Sequence, residues 1–174
     1  MDKISPLISE KDIKKRVYEI AKKISSDYNG EKITMVSVLK GSFIFNADLI
    51  RSIDAELNVN FIRAKSYIDT QSNGKPEIHD DYALDVKGKS ILIVEDIIDT
   101  GNTLSQLMDY FLKAGCKDVK IAVFLDKPSR RTADISPDYC CFEIEDRFVV
   151  GYGLDYNEKY RQLPYLGVLT PDGN

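Results

Sequence analysis

The chain is poor in several residue types that often signal a function. Among 174 residues there is a single histidine, His79, so neither a zinc pattern nor a catalytic pair with a second imidazole can be completed. Its expected place is a surface loop. The three cysteines, Cys116, Cys140 and Cys141, are an odd number with two adjacent. Neither a disulfide framework nor metal-ligand spacing is visible, which leaves buried thiols in a reducing compartment. Long apolar runs are missing too. Stretches such as Ile91–Val94 fall far short of the ~20 residues that span a bilayer. The opening MDKISPLISEKD lacks the apolar stretch of a secretion signal, so a cytoplasmic location is expected. A net charge of −4 without a long basic run argues against nucleic acid as the main ligand.

What is present is ordinary globular composition. Apolar residues at 43% and charged residues at 30% exclude a disordered chain, and the length suits one domain with one proper core. Ser9 and Asp12 form an N-cap signature. Behind it Ile13, Val17, Ile20, Ala21 and Ile24 recur at helical spacing until Asn29-Gly30 ends the run. Residues 32–38 read as a strand closed by Leu39-Lys40-Gly41, and Phe43 to Ile50 as a helix. The alternation of Leu57, Val59 and Phe61 predicts a strand up to Ala64. Residues 67–81 are polar, with Gly, Pro, Asn and several acids. This is too long for a simple turn and is expected to be a lid or binding loop.

Ser90–Val94 is short and wholly apolar, as a strand at the centre of a covered parallel sheet should be. Leu104 to Ala114 has helical spacing and stops at Gly115, and Val119–Leu125 is another buried strand. Strands alternating with helices predict an α/β fold with right-handed crossovers. After Asp126 short segments broken by prolines and glycines predict a small irregular cap on the core. The expected organisation is therefore a single domain over 1–174, with a core of about 9–125 and a mobile loop of about 66–81. A hood would be formed mainly by 126–174 with the N-terminal segment.

The chemistry concentrates in Glu95-Asp96-Ile97-Ile98-Asp99-Thr100-Gly101-Asn102-Thr103. An apolar strand runs into two carboxylates, and a third, Asp99, opens a turn of small hydrogen-bonding residues before a helix. Ligands of open parallel sheets bind beyond the carboxyl ends of the strands. A helix starting near Asn102 offers unpaired N–H groups and a positive dipole end to a phosphate. Gly101 permits close backbone approach, and Thr100 and Thr103 add hydroxyls. Glu95 and Asp96 would repel phosphate, so they must face a pair of hydroxyls or a hydrated cation. A ribose 5-phosphate supplies both halves. An acidic helix cap is the plain structural alternative, but adjacent carboxylates at a buried strand end carry a desolvation cost with no structural return. There is no GxxxxGK[ST] loop, and Gly151-Tyr-Gly153 lacks the further glycine of a dinucleotide turn.

This segment resembles the phosphoribosyl pyrophosphate motif of the type I phosphoribosyltransferases. Further stretches resemble the hypoxanthine-guanine branch of that family, and they occur in its order: Leu39-Lys40-Gly41, Ser66-Tyr67, Leu125-Asp126-Lys127-Pro128-Ser129, Phe148-Val149-Val150-Gly151, and Leu154-Asp155-Tyr156-Asn157 with Tyr160-Arg161. They span about Val38 to Leu163. The resemblance implies a mostly parallel twisted sheet flanked by helices, with a hood and a flexible loop. It implies transfer of a 5-phosphoribosyl group from phosphoribosyl pyrophosphate to hypoxanthine or guanine, with Mg2+.

By the same resemblance Asp99 would be the general base at purine N7, with a helix-capping aspartate as the plain alternative. Glu95 and Asp96 would hold the ribose hydroxyls, partly through Mg2+, and Thr100, Gly101, Asn102 and Thr103 the phosphate. Asp155, by itself an ordinary turn residue, would hold a second Mg2+. Lys40, Gly41, Arg161, Ser66 and Tyr67 would face the pyrophosphate, with an unusual peptide between Lys40 and Gly41. Lys127 would donate to a 6-oxo group, Phe148 would stack on the base unless it is plain core, and the Val149 carbonyl would meet the base edge. The partners expected are the activated sugar and a 6-oxopurine, in a homodimer or homotetramer. Two other readings compete: an RNA-binding regulator, which would need a basic face, and the same reaction with xanthine or a pyrimidine preferred.

Overall fold

The computed structural model describes residues 3–65, 77–79 and 84–170. The chain order is β1 (Lys3–Ile8), α1 (Glu10–Tyr28), β2 (Ile33–Leu39), α2 (Phe43–Ile50), β3 (Leu57–Lys65), β4 (Glu77–His79), β5 (Ser90–Ile98), α3 (Asn102–Lys113), β6 (Asp118–Asp126), β7 (Tyr139–Glu143), β8 (Val149–Val150) and β9 (Leu166–Thr170). A single 3-10 turn, Pro128–Arg130, follows β6.

Helix α1 starts and stops where local chemistry requires. The Ser9 hydroxyl accepts from the Asp12 amide at 3.2 Å, an arrangement that typically adds about 1 kcal/mol. At the far end Asn29 takes a left-handed conformation, φ 46°, and its amide closes on the Ser25 carbonyl. Its buried residues Ile13, Val17, Ile20, Ala21 and Ile24 are the predicted stripe, joined by Tyr28.

The large sheet has the order β4-β3-β2-β5-β6-β7, parallel except for β4. Successive residues of β5 alternate between two cores. Leu92 and Val94 pack with Ile13, Ile20 and Phe45 of α1 and α2. Ile91 and Ile93 pack with Leu104, Leu107 and Phe111 of α3. Both faces are covered, which explains why the strand is apolar throughout its first half. The smaller sheet, β1-β9-β8, is antiparallel and forms the cap. Phe124 of β6 packs its ring 5.8 Å from Phe45 of α2, 5.7 Å from Phe142 of β7 and 4.6 Å from Tyr152, two residues beyond β8.

Several expectations need correction. Tyr139–Glu143 was expected within the hood but pairs with β6 as the edge strand of the large sheet. Strand β5 does not end at Val94; its hydrogen-bonded register with β6 carries on through Glu95 to Ile98. In β3 Ile62 is buried, 2% exposed, whereas Phe61, one of the alternating apolar residues, is 50% exposed. His79 was expected in a loop and lies in β4, antiparallel to β3. The rest of the expected loop, apart from Glu77–His79, lies outside the described residues.

Candidate active site

The carboxyl ends of β2, β5 and β6 carry the predicted residues. On β5, the Asp96 amide donates to Glu95 Oε1 at 3.1 Å and the Ile97 amide to Asp96 Oδ1 at 2.9 Å. The turn after β2 lies directly against Asp96. A Cβ added to Gly41 would sit 1.6 Å from Asp96 Oδ2, so any larger residue there would displace the Asp96 carboxylate. Gly153, at φ +102°, approaches the same turn, and a Cβ there would lie 2.2 Å from the Gly41 carbonyl oxygen. Two close backbone approaches thus bring the Lys40-Gly41 turn and the Gly153–Asp155 turn onto the acidic pair. The cis peptide in this turn joins Leu39 to Lys40, not Lys40 to Gly41 as expected.

Glu95 and Asp96 open partly to the cavity but sit deep among protein atoms. Burial holds the Glu95 carboxyl well above its ordinary range, and the neighbouring Asp96 charge adds to the effect. Burial raises Asp96 as well, opposed by its hydrogen bonds with Glu95 and the Ile97 amide and by the charge of Arg161. Such a pair gains from any hydroxyl donor or cation that enters.

Gly101, at φ +84°, turns the chain into α3, and a Cβ there would meet Ile135 Cγ2 at 2.6 Å. No side chain caps α3 among the described residues; its N-cap is Gly101. The Asn102 amide donates to Thr100 Oγ1 at 3.4 Å, and the N–H groups that follow it in the first turn are left for an anion. A cavity of about 450 Å³ lies above this helix end, lined by Thr100, Gly101 and Thr103 on one side and by Glu95, Asp96 and Lys40-Gly41 on the other. Asn102 is outside that lining; it is exposed, and its side-chain oxygen accepts from Thr132 at 3.4 Å.

At the rim, Arg161 pairs with Asp155 at 2.8 Å and donates to the Gly153 carbonyl at 2.8 Å. Glu158, which the sequence reading missed, takes Lys40 at 3.0 Å and Arg161 at 3.3 Å. Asp155 also accepts from the Glu158 amide at 2.9 Å, so its role as a turn residue and its place in the site coexist.

A second cavity, of about 500 Å³, shares Asp96, Ile97, Asp99 and Asp155 with the first. Lys127, Phe148 and Val149 are among the residues that line it. Lys127 is only 8% exposed and donates to the Arg147 carbonyl at 2.7 Å, with Asp146 at 3.4 Å. Phe148 is not core: it is 52% exposed, with its ring edge-on to Tyr156 at 5.4 Å. Asp99 does not cap α3; its carboxylate accepts from Arg130 Nε at 2.7 Å. Arg130 and Asp146 are further residues that the sequence reading missed. A usable signal existed for Arg130, since the Arg130-Arg131 pair follows the carboxyl end of β6. Ser66 and Tyr67 lie outside the described residues.

A parallel sheet with a phosphate-suited helix end, an acidic pair on the strand before it and a capping small sheet define a type I phosphoribosyltransferase. Residues 7–157 match the family described as phosphoribosyl transferase domain, and the chain belongs to that family. The hypoxanthine-guanine phosphoribosyltransferase of Bacillus subtilis is 49% identical over 166 residues, which cover 95% of this chain and 92% of that protein. The enzyme of the same name from Streptococcus pneumoniae strain R6 is 45% identical over 167 residues, covering 95% and 93%. A crystal structure of a hypoxanthine-guanine phosphoribosyltransferase from Bacillus anthracis, with HEPES in its active site, superimposes with a TM-score of 0.91 at 42% identity, covering 98% of this chain and 100% of that one. A hypoxanthine phosphoribosyltransferase from Staphylococcus aureus gives a TM-score of 0.90 at 41% identity, covering 96% and 91%.

Proposed function

We propose that the protein is a purine salvage enzyme that moves the 5-phosphoribosyl group from phosphoribosyl pyrophosphate to hypoxanthine or guanine. The bond from the sugar's anomeric carbon to the pyrophosphate oxygen breaks, and a bond from that carbon to a purine ring nitrogen forms. The observation that carries this reading is the wall shared by the two cavities, Asp96, Ile97, Asp99 and Asp155. A sugar in the first cavity and a flat base in the second would meet beside Asp99.

The 5-phosphate would rest on the first turn of α3, and the ribose hydroxyls would donate to Glu95 and Asp96, relieving their burial. The base would lie under Phe148 with its 6-oxo group toward Lys127 and its other edge toward the Val149 carbonyl. Lys127 then has nothing to accept from the amino group of adenine, which favours 6-oxopurines. Asp99 would take the N7 proton as the new bond forms and would favour the positive charge developing on the sugar. Lys40, Gly41 and Arg161 would meet the leaving pyrophosphate, which would displace Glu158 from the two cations. By resemblance Ser66 and Tyr67 belong to the same pyrophosphate site.

Mg2+, when bound, supplies charge neutralisation on the pyrophosphate. Its protein ligands would be Asp155 and, through the ribose hydroxyls, Glu95 and Asp96. Among the described residues no group of three or more such side chains could hold a metal by itself. That donor set suits Mg2+, which keeps several waters and takes one or two carboxylates plus substrate phosphates.

We also propose that the enzyme works in the cytoplasm as a homodimer or homotetramer. Among the described residues no helix is long and apolar enough to cross a membrane, which supports the first part. Exposed Phe43 and Phe61 are apolar surface that a second subunit could cover. A Mg2+-dependent spectrophotometric assay with hypoxanthine, guanine, xanthine and adenine in parallel tests the activity. Product from either of the first two, with little from adenine, is expected; absence of product from both would end the reading.

A further inference from the structure

The base cavity contains a chain of alternating charges, two members of which, Arg130 and Asp146, have no part in the reaction described above. Asp99 accepts from Arg130 Nε at 2.7 Å, Arg130 Nη1 reaches Asp146 Oδ2 at 3.2 Å, and Asp146 Oδ1 meets Lys127 Nζ at 3.4 Å. All four residues line the same cavity. Lys127 and Arg130 are placed together by the 3-10 turn after β6, in which Pro128 occupies the first position and the Arg130 amide donates to the Lys127 carbonyl at 3.1 Å. Two cations therefore leave one turn, diverge, and grip the two oxygens of one carboxylate.

The Arg130–Asp99 pair leaves 46% and 42% of the side chains exposed. An ion pair so open to water contributes little to fold stability. Its geometric effect is specific, however. Among the described residues Arg130 is the one side chain that donates to the Asp99 carboxylate, which makes no helix-capping bond. Arg130 occupies Oδ1 and leaves Oδ2 for the base. A planar guanidinium holds two carboxylates in a fixed fork geometry, which the freely rotating ammonium of a lysine does not impose.

We propose that Arg130 is a positioning residue for phosphoribosyl transfer: it orients the Asp99 carboxylate toward the base and, through Asp146, fixes it relative to Lys127. One turn thereby sets the distance between the group that reads the 6-oxo oxygen and the group that meets N7. This inference rests on the activity proposed above, and the test separates the two.

The experiment is a double-mutant cycle on the full chain, with hypoxanthine as the base. Arg130→Gln is expected to lower kcat about tenfold, the scale of a lost orientation, with KM for phosphoribosyl pyrophosphate unchanged. Asp146→Asn, which removes the other anchor of Arg130 without touching Asp99, should lower kcat in the same direction. In the Asp99→Asn background Arg130→Gln should add no further loss, because Arg130 acts only through Asp99. A residue with a merely structural role would lower the rate by the same factor in both backgrounds, and that result overturns the proposal. So does wild-type kcat in Arg130→Gln. If the wild-type protein itself forms no nucleotide, the proposed activity fails instead.

Discussion

The Asp96 carboxylate fills the space that a side chain at Gly41 would need, with a Cβ there only 1.6 Å from Oδ2. The acidic pair on β5 and the turn after β2 are therefore shaped to each other. Gly41→Ala should push Asp96 out of register with the ribose site and lower kcat/KM for phosphoribosyl pyrophosphate by roughly 10²-fold, as misplacement of about 1 Å can do. Steady-state kinetics decide it. A value near wild type would mean that Asp96 can move without cost to the reaction.

Asp99→Asn should reduce turnover by roughly 10²–10⁴, the range for one acid–base group. The side chain is 42% exposed, so the fold should persist. Initial rates together with a thermal melt check both halves, and near-normal turnover in a folded variant would remove Asp99 from the chemistry.

Lys127→Ala should weaken the preference for hypoxanthine over adenine by roughly 10–100-fold, the scale of one charged hydrogen bond. The same change frees the Arg147 carbonyl, which Lys127 holds at 2.7 Å, and should loosen the turn before Phe148. Competition assays with the two bases read the outcome. Unchanged selectivity would show that another group reads the base.

Burial, reinforced by the Asp126 charge, pushes the Cys140 thiol from 9.0 up to about 11. The unfolded thiol ionises first as pH rises, so the unfolded chain binds fewer protons between these two values. The contribution of this group to stability is whole below pH 9.0 and is lost as pH climbs toward about 11. At pH 8 the thiolate fraction, and with it iodoacetamide alkylation, should be about a hundredfold lower for Cys140 in the native protein than in the unfolded chain. Fragment-ion mass spectrometry after timed labelling separates Cys140 from the adjacent Cys141, and equal rates at Cys140 in the two states would contradict it.

The extent of α1 was legible because its signals are local: a serine cap three residues from Asp12, a helical apolar stripe, and an asparagine that accepts a left-handed turn. The Glu95–Thr103 segment was legible for a related reason, since acids, small residues and helix start occupy one continuous stretch. The face of β3 was not. Its residues are half-buried at positions 57–60, so alternation alone did not say which side was covered. Strand β7 looked like part of the cap because it is short and flanked by a proline, and it pairs in parallel with β6 with only a 3-10 turn between them, so no crossover helix marked it as a sheet strand.

The sequence by itself pointed to the class of chemistry: a helix end suited to phosphate and an acidic pair before it, with Lys127 and Phe148 added through the family resemblance. The tertiary structure decided which charges face one another. Arg130 lies 31 positions from Asp99 and Glu158 lies 118 from Lys40, and nothing local predicts either contact. Hydrogen bonds within a turn are written in neighbouring residues, whereas ion pairs across a cavity exist only once strands β2, β5 and β6 have set their ends side by side.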